Sequence, residues 1–200
     1  LRVLRRSVDA REEVALVYTV AAAVKDEAAV LRRCRSKKIP RLEPAPVYAP
    51  PAPLPAPAVP PVVVGAGPAG LFAAWVLAQA GLRPILLERG KPVDARKADV
   101  ERFWSTGELN ITSNVQFGEG GAGAFSDGKL NTGTRDFRHR FILEALVRCG
   151  APEDILIDAK PHVGTDFLHI ALKNLRRELL EMGTDIRFES RLSDLTVENG

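Results

Sequence analysis

Two hundred residues with 46% hydrophobic content suffice for one or two domains with a real core. The two cysteines, Cys34 and Cys149, are far apart and in no CxxC pair. There is no metal motif, no GxSxG elbow and no GxxxxGK[ST] loop, so redox-dithiol, hydrolase and NTPase readings lack support. The formal charge of +3 is unevenly spread: residues 1–43 hold eleven Lys/Arg against six Asp/Glu, the remainder seventeen against nineteen. The chain begins at Leu1 without Met and stops at Gly200 just after strand-like sequence, and is expected to be a piece of a longer protein.

Residues 1–39 are expected to form a small α+β segment. Val14–Val20 is β-rich, and Asp26–Arg35 is helical, with acids in its first turn and arginines in its last, complementing the macrodipole. Arg5 and Arg6 before an apolar run resemble a secretory leader, but Asp9, Glu12 and Glu13 crowd the charged flank. Two cysteines without a leader fit a reducing cytoplasm. The basic tract Arg32–Lys38 reads as a solvated helix end rather than an RNA or acidic-partner contact. Residues 40–61 hold ten of the fifteen prolines and are expected to be an extended polyproline II linker.

Residues 62–200 carry the chemistry. Val62–Val64 run into Gly65-Ala66-Gly67-Pro68-Ala69-Gly70, then an apolar segment, Gly81, and a second apolar run, Arg83–Leu87, ending on Glu88. Strand, glycine turn, helix, strand and acid is the arrangement that holds a dinucleotide. Gly65 permits the tight turn, Gly67 lets backbone approach a pyrophosphate, and Gly70 lets the helix pack on the sheet. Pro68 stands at the first helical position, where a missing N–H is no loss. Glu88, 23 residues beyond Gly65, is placed for a ribose diol. The uncharged stretch Val62–Leu82 approaches a membrane span in length, but its glycines, Pro68 and Gln79 argue against one.

Beyond it, Val93–Trp104 is helix-compatible, with Val93, Val100, Phe103 and Trp104 as apolar contacts. The glycine-rich stretch 114–133 has almost no periodicity and is expected to lie over the cofactor's reactive end. Phe137–Arg148 reads as an amphipathic helix. A long helix, Phe167–Met182, is expected to start at a Thr165 or Asp166 cap and to use Phe167, Ile170, Leu172, Leu175, Leu179 and Leu180. Asp185–Glu189 would then add a parallel strand to the sheet, with Leu192–Val197 as a further candidate. His139, His162 and His169 read as structural or solvated, His162 being the strongest functional candidate among them.

The fingerprint alone serves FAD or NAD. An NADP enzyme more often carries Arg than Glu at position 88, so a dehydrogenase reading favours NAD. A third reading, a flavoprotein directed at RNA by residues 1–43, lacks a stacking platform, since Tyr18 is the one aromatic residue before the linker.

The combination of VVVGAGPAGLFAAWVLAQAG, ILLERG, NVQFGEGGAGAFSDGKLNTG and HVGTDFLHIALKNLRRELLEMGTDIRFESRL resembles the bacterial FAD-dependent dehydrogenase (oxidoreductase) family, within the wider glutathione-reductase-like flavoproteins. That resemblance implies an α/β fold: a Rossmann-like FAD/NAD(P)-binding βαβ domain behind a small α+β segment and a Pro-rich linker. It implies an oxidoreductase acting on an unknown small-molecule substrate, with FAD as cofactor and NAD(P)H as a candidate reductant. The residues themselves point to a cytoplasmic protein without a membrane partner, and they disfavour a nucleic-acid partner while leaving the RNA-directed reading as an alternative. Gly65, Gly67, Pro68, Ala69 and Gly70 would wrap the pyrophosphate, Glu88 would hold the ribose, and Arg89 would lie beside the adenine or phosphates. Gly120, Gly121, Gly123, Ser126 and Lys129 would lie near the isoalloxazine. No catalytic side chain is assigned, because the chemistry belongs mainly to the flavin. Such flavoproteins also need a Gly-Asp pair on a later strand and a substrate domain, and neither occurs before Gly200.

Overall fold

The computed structural model describes residues 1–34, 39–130, 132–134 and 136–198. The basic tract Arg32–Lys38 therefore lies partly outside the described residues. Two antiparallel strands open the chain, β1 (Arg2–Asp9) and β2 (Ala15–Ala21), followed by α1 (Glu27–Cys34). Strand β1 was not expected. Its sequence, RVLRRSVD, is charge-rich, and its outer edge is held by Arg6, whose N–H donates to Ile157 O at 2.7 Å and whose C=O accepts from Ala159 N at 2.8 Å. The Arg6 guanidinium bonds Asp158 at 2.7 Å and Asp154 at 2.8 Å, which pushes its pKa up.

Residues 40–61 form neither helix nor strand, as proline-rich sequence dictates. They do not stand free of the body that follows. Leu54 N–H donates to Ala80 O at 2.9 Å, Pro61 O accepts from Ile85 N, and the Tyr48 ring packs edge-on against Phe141 with centroids 4.7 Å apart. This stretch is a strap laid along the next unit.

That unit is a parallel sheet of three short strands, β3 (Val62–Val64), β4 (Ile85–Leu87) and β5 (Asp185–Arg187), ordered β3-β4-β5. Val63, Leu86 and Ile186 occupy matching register positions and pack into the core, whereas Val62, Val64, Asp185 and Arg187 are exposed. Strand β3 spans the Val run that suggested it, whereas β4 and β5 are shorter than the stretches Arg83–Leu87 and Asp185–Glu189 that suggested them. Arg83 sits in the left-handed region at φ 47° and sets the turn ahead of β4, and Leu192–Val197 forms no strand.

Helix α2 (Pro68–Gln79) starts at Gly67 with Pro68 in its first turn and buries Leu71, Ala74, Trp75 and Ala78. Trp75 is 1% exposed and lies between Phe72, Phe141 and the Arg148 guanidinium. Helices α3 (Val93–Thr106), α4 (Arg138–Arg148) and α5 (Thr165–Glu181) complete the body. In α3, Val93 and Val100 are buried, but Trp104 is 63% exposed, so it is not a core contact. Helix α5 is preceded by Gly164, with no side-chain cap from Thr165 or Asp166. Its buried face is Leu168, Ala171, Leu172, Leu175 and Leu179, with Phe167, Ile170 and Leu180 turned outward. The difference is one of phase: a stripe repeating every three to four residues is completed by the small Ala171, and the outward apolar residues fall one position off it. No helix among the described residues is long and apolar enough to cross a membrane.

Candidate functional site

Strand β3 ends at Val64 and the backbone turns at Gly65, φ 93°, where a side chain would be strained. A Cβ at Gly67 would meet nothing within 4 Å, so this position opens onto free space at the start of α2. Gly70 is different: a Cβ there would fall 1.8 Å from Gly65 O, so its hydrogen is what lets α2 lie against the turn. Pro68 and Ala69 form the exposed first turn of α2, and the free N–H groups of that turn give it anion-binding character.

At the end of β4, Glu88 is only 5% exposed. Its Oε2 accepts the Ala66 N–H at 2.7 Å and its Oε1 the Gly90 N–H at 2.8 Å. The carboxylate thus braces the glycine turn, and its remaining lone pairs are available to a ligand hydroxyl. Arg89 lies 4.0 Å over the Phe117 ring and donates through Nη2 to Ile111 O at 3.0 Å. Its buried Nε has no partner among the described residues.

These residues surround a cleft of about 340 Å³ outside the carboxyl ends of the parallel strands. That is where open α/β sheets bind ligands. Gly65, Gly67, Glu88 and Arg89 line one side, Gln116, Phe117, Gly118 and Gly121 the other, and Ser190, Arg191 and Leu192 close one end. The glycine loop is joined directly to the glycine turn: Gly120 N–H donates to Ala66 O at 2.8 Å, and the Cβ position of Gly121 lies 3.3 Å from the Pro68 ring.

The cleft gathers only part of the set expected from sequence. Gly120 stands behind the wall, against Leu172. Gly123, Ser126 and Lys129 do not line it. Ser126 Oγ turns back to Gly123 O at 2.9 Å, and the Lys129 ammonium pairs with Asp127 at 2.6 Å on an exposed loop. Of the histidines, His162 bonds the Asp127 carbonyl, His169 bonds Ala124 O at 2.7 Å beside Phe125, and His139 lies 2.9 Å from the Thr134 hydroxyl.

A buried charge network behind the loop was not expected. Arg96 of α3, 0% exposed, donates to Asn114 O at 2.7 Å, Val115 O at 2.8 Å and Glu119 O at 2.7 Å. Burial pushes its pKa down to about 10, against the pull of Glu88 and Glu119. Glu119, also 0% exposed, accepts the Val93 N–H at 2.7 Å and pairs with Arg176 of α5 at 2.8 Å. Burial raises its pKa despite those donors, while the Arg176 contact holds that of Asp94 down. A single acid inside a glycine run was the one sequence signal for Glu119. Arg96 sits among the charged residues of α3 and carried none.

Comparison with known proteins accords with this geometry. Residues 63–93, from β3 through the turn, α2 and β4, match the family of NAD(P)-binding Rossmann-like domains. The chain is thus an α/β protein with a Rossmann-like domain for a nucleotide cofactor. It is also 44% identical, over 202 residues, to an uncharacterized protein of Clostridium beijerinckii (strain ATCC 51743 / NCIMB 8052). That likeness covers 100% of this chain and 38% of the relative, so the chain spans well under half of the relative's length.

Proposed function

We propose that the cleft holds the ADP portion of FAD and that the chain is the dinucleotide-binding part of a flavin-dependent oxidoreductase. The observation that carries this is the pairing of an open Cβ position at Gly67 with the anchored Glu88 carboxylate, both facing one cleft. The donor set suits the group. The first turn of α2 offers N–H groups and a positive dipole end to a pyrophosphate, Glu88 accepts from ribose hydroxyls, and Arg89, held flat by Phe117, offers a cation beside them. FAD, when bound, would carry hydride to or from a small-molecule substrate; in the reducing direction NAD(P)H would be the donor that reduces the flavin, which then passes the two electrons to the substrate. Gln116, Phe117, Gly118 and Gly121 line the cleft on the loop side and limit water there. Gly121 lines the cleft itself, and Gly120, Gly123, Ser126 and Lys129, which lie outside its lining, belong to the flavin end in this reading.

The match to NAD(P)-binding domains favours a second reading, in which the same turn binds NAD directly. Titrating the protein with FAD, followed by quenching of flavin fluorescence, and in parallel with NADH, separates the two. Saturable FAD binding that is lost in Gly67→Val supports the flavin reading. NADH binding without FAD binding replaces it with the NAD reading, and binding of neither rejects both.

A further inference from the structure

The loop wall of the cleft is held from behind by side chains that do not line it. Three carbonyls of the segment 114–119 converge on the Arg96 guanidinium at 2.7–2.8 Å. The fit is close, for a Cβ on Gly118 would lie 2.5 Å from Arg96 Cδ. Glu119 then fixes the loop at two further points, the Val93 N–H that opens α3 and the Arg176 guanidinium of α5. Arg176 is itself shared with Asp94 at 2.9 Å. Between these anchors lie Gln116, Phe117 and Gly118, which face the cleft, with Phe117 carrying Arg89.

We infer that Arg96, Glu119 and Arg176 are positioning residues that set the loop 114–121 against the glycine turn, so that cleft geometry is controlled from helix α5. Buried charges kept in a small domain cost desolvation and are repaid here by bonds to loop backbone. An apolar residue at 96 would leave three carbonyls without donors. Arg176 is the tunable end, since its side chain is 19% exposed and reaches the loop through Glu119 alone. The consequence for ligand affinity rests on the dinucleotide reading, whereas the positioning of the loop does not.

Hydrogen exchange on the ligand-free chain tests it, comparing wild type with Arg176→Met, Arg176→Lys and Asp94→Asn. Arg96→Met would strip donors from three carbonyls and threaten folding outright, so Arg176 carries the test. In Arg176→Met, amides in residues 114–121 are expected to exchange faster by about 100-fold while protection in α2 and β4 is kept. Arg176→Lys should recover most of that protection, and Asp94→Asn, which removes the charge from the other half of the Arg176 contact while keeping an acceptor oxygen, should leave it intact. Unchanged exchange at 114–121 in Arg176→Met, or a loss spread evenly over α2 and β4, overturns the inference. FAD titration of the same variants is the second readout: affinity lower by about tenfold in Arg176→Met supports coupling to the cleft. Loop loosening with unaltered FAD affinity overturns that coupling. A wild-type chain that binds neither FAD nor NADH rejects the functional reading and leaves the exchange result to decide the positioning role.

Discussion

Glu88 and Ala66 are joined across the cleft floor: the carboxylate at the end of β4 accepts the amide of the glycine turn at 2.7 Å, while its other oxygen takes the Gly90 amide. The acid expected to serve a ribose is therefore also a structural brace. Glu88→Ala leaves two buried N–H groups without acceptors, each costing about 1–3 kcal/mol. The variant should lose about 3 kcal/mol in urea unfolding as well as ligand affinity. A variant as stable as wild type but weak in binding would assign Glu88 to the ligand alone.

Gly67 and Gly70 lie three residues apart and should respond oppositely to substitution. At Gly67 the backbone is extended before Pro68, φ −71°, and the added Cβ enters open space. Gly67→Val should fold normally, within about 0.5 kcal/mol of wild type, and bind neither FAD nor NADH. Gly70→Ala drives a methyl to 1.8 Å from Gly65 O and should lose about 3 kcal/mol. Thermal melts beside FAD and NADH titrations distinguish them, and equal stability of the two variants would contradict the close approach of α2 to the turn.

These two glycines also show why one half of the site was legible and the other was not. The turn is written locally: a Val run, three glycines, a proline and an acid at fixed spacing place β3, α2 and β4 with few alternatives. The loop wall is written in long-range pairs, Arg96 with 114–119 and Glu119 with Arg176, and no local periodicity encodes a partner 57 positions away. The same limit hid Ser190–Leu192, which reach the cleft only because β5 pairs in register beside β4. It also separated Lys129 from the cleft, since its nearer carboxylate, Asp127, claims the ammonium. Strand β1 was missed for a similar reason: alternation broken by arginines reads as polar until β2 and residues 157–159 flank it.

The two cysteines should differ sharply in reactivity. Cys34 is exposed, whereas Cys149 is buried, and burial beside the Glu178 carboxylate pushes its thiol up to about 11. At pH 8 only about one Cys149 side chain in a thousand would be thiolate. An Ellman titration of native protein should therefore show one fast thiol, with the second appearing on denaturation. Two fast thiols would mean that the junction of α4 and α5 opens readily.

Glu119 yields a pH dependence with a definite sign. Burial raises its folded-state pKa above the unfolded value, so the folded chain holds a proton that the unfolded chain releases. Its contribution to stability is present in full below the unfolded pKa and is lost as pH rises through the folded one. Glu119→Gln removes this titration while keeping an acceptor for the Val93 N–H. Relative to wild type, the Gln variant should gain stability from acid toward neutral pH, whatever its absolute offset from the altered Arg176 contact. Urea unfolding at a series of pH values gives the difference directly. A flat difference would show Glu119 titrating as it does in the unfolded chain, and a falling one would mean that Arg176 and Arg96 hold it ionised against burial.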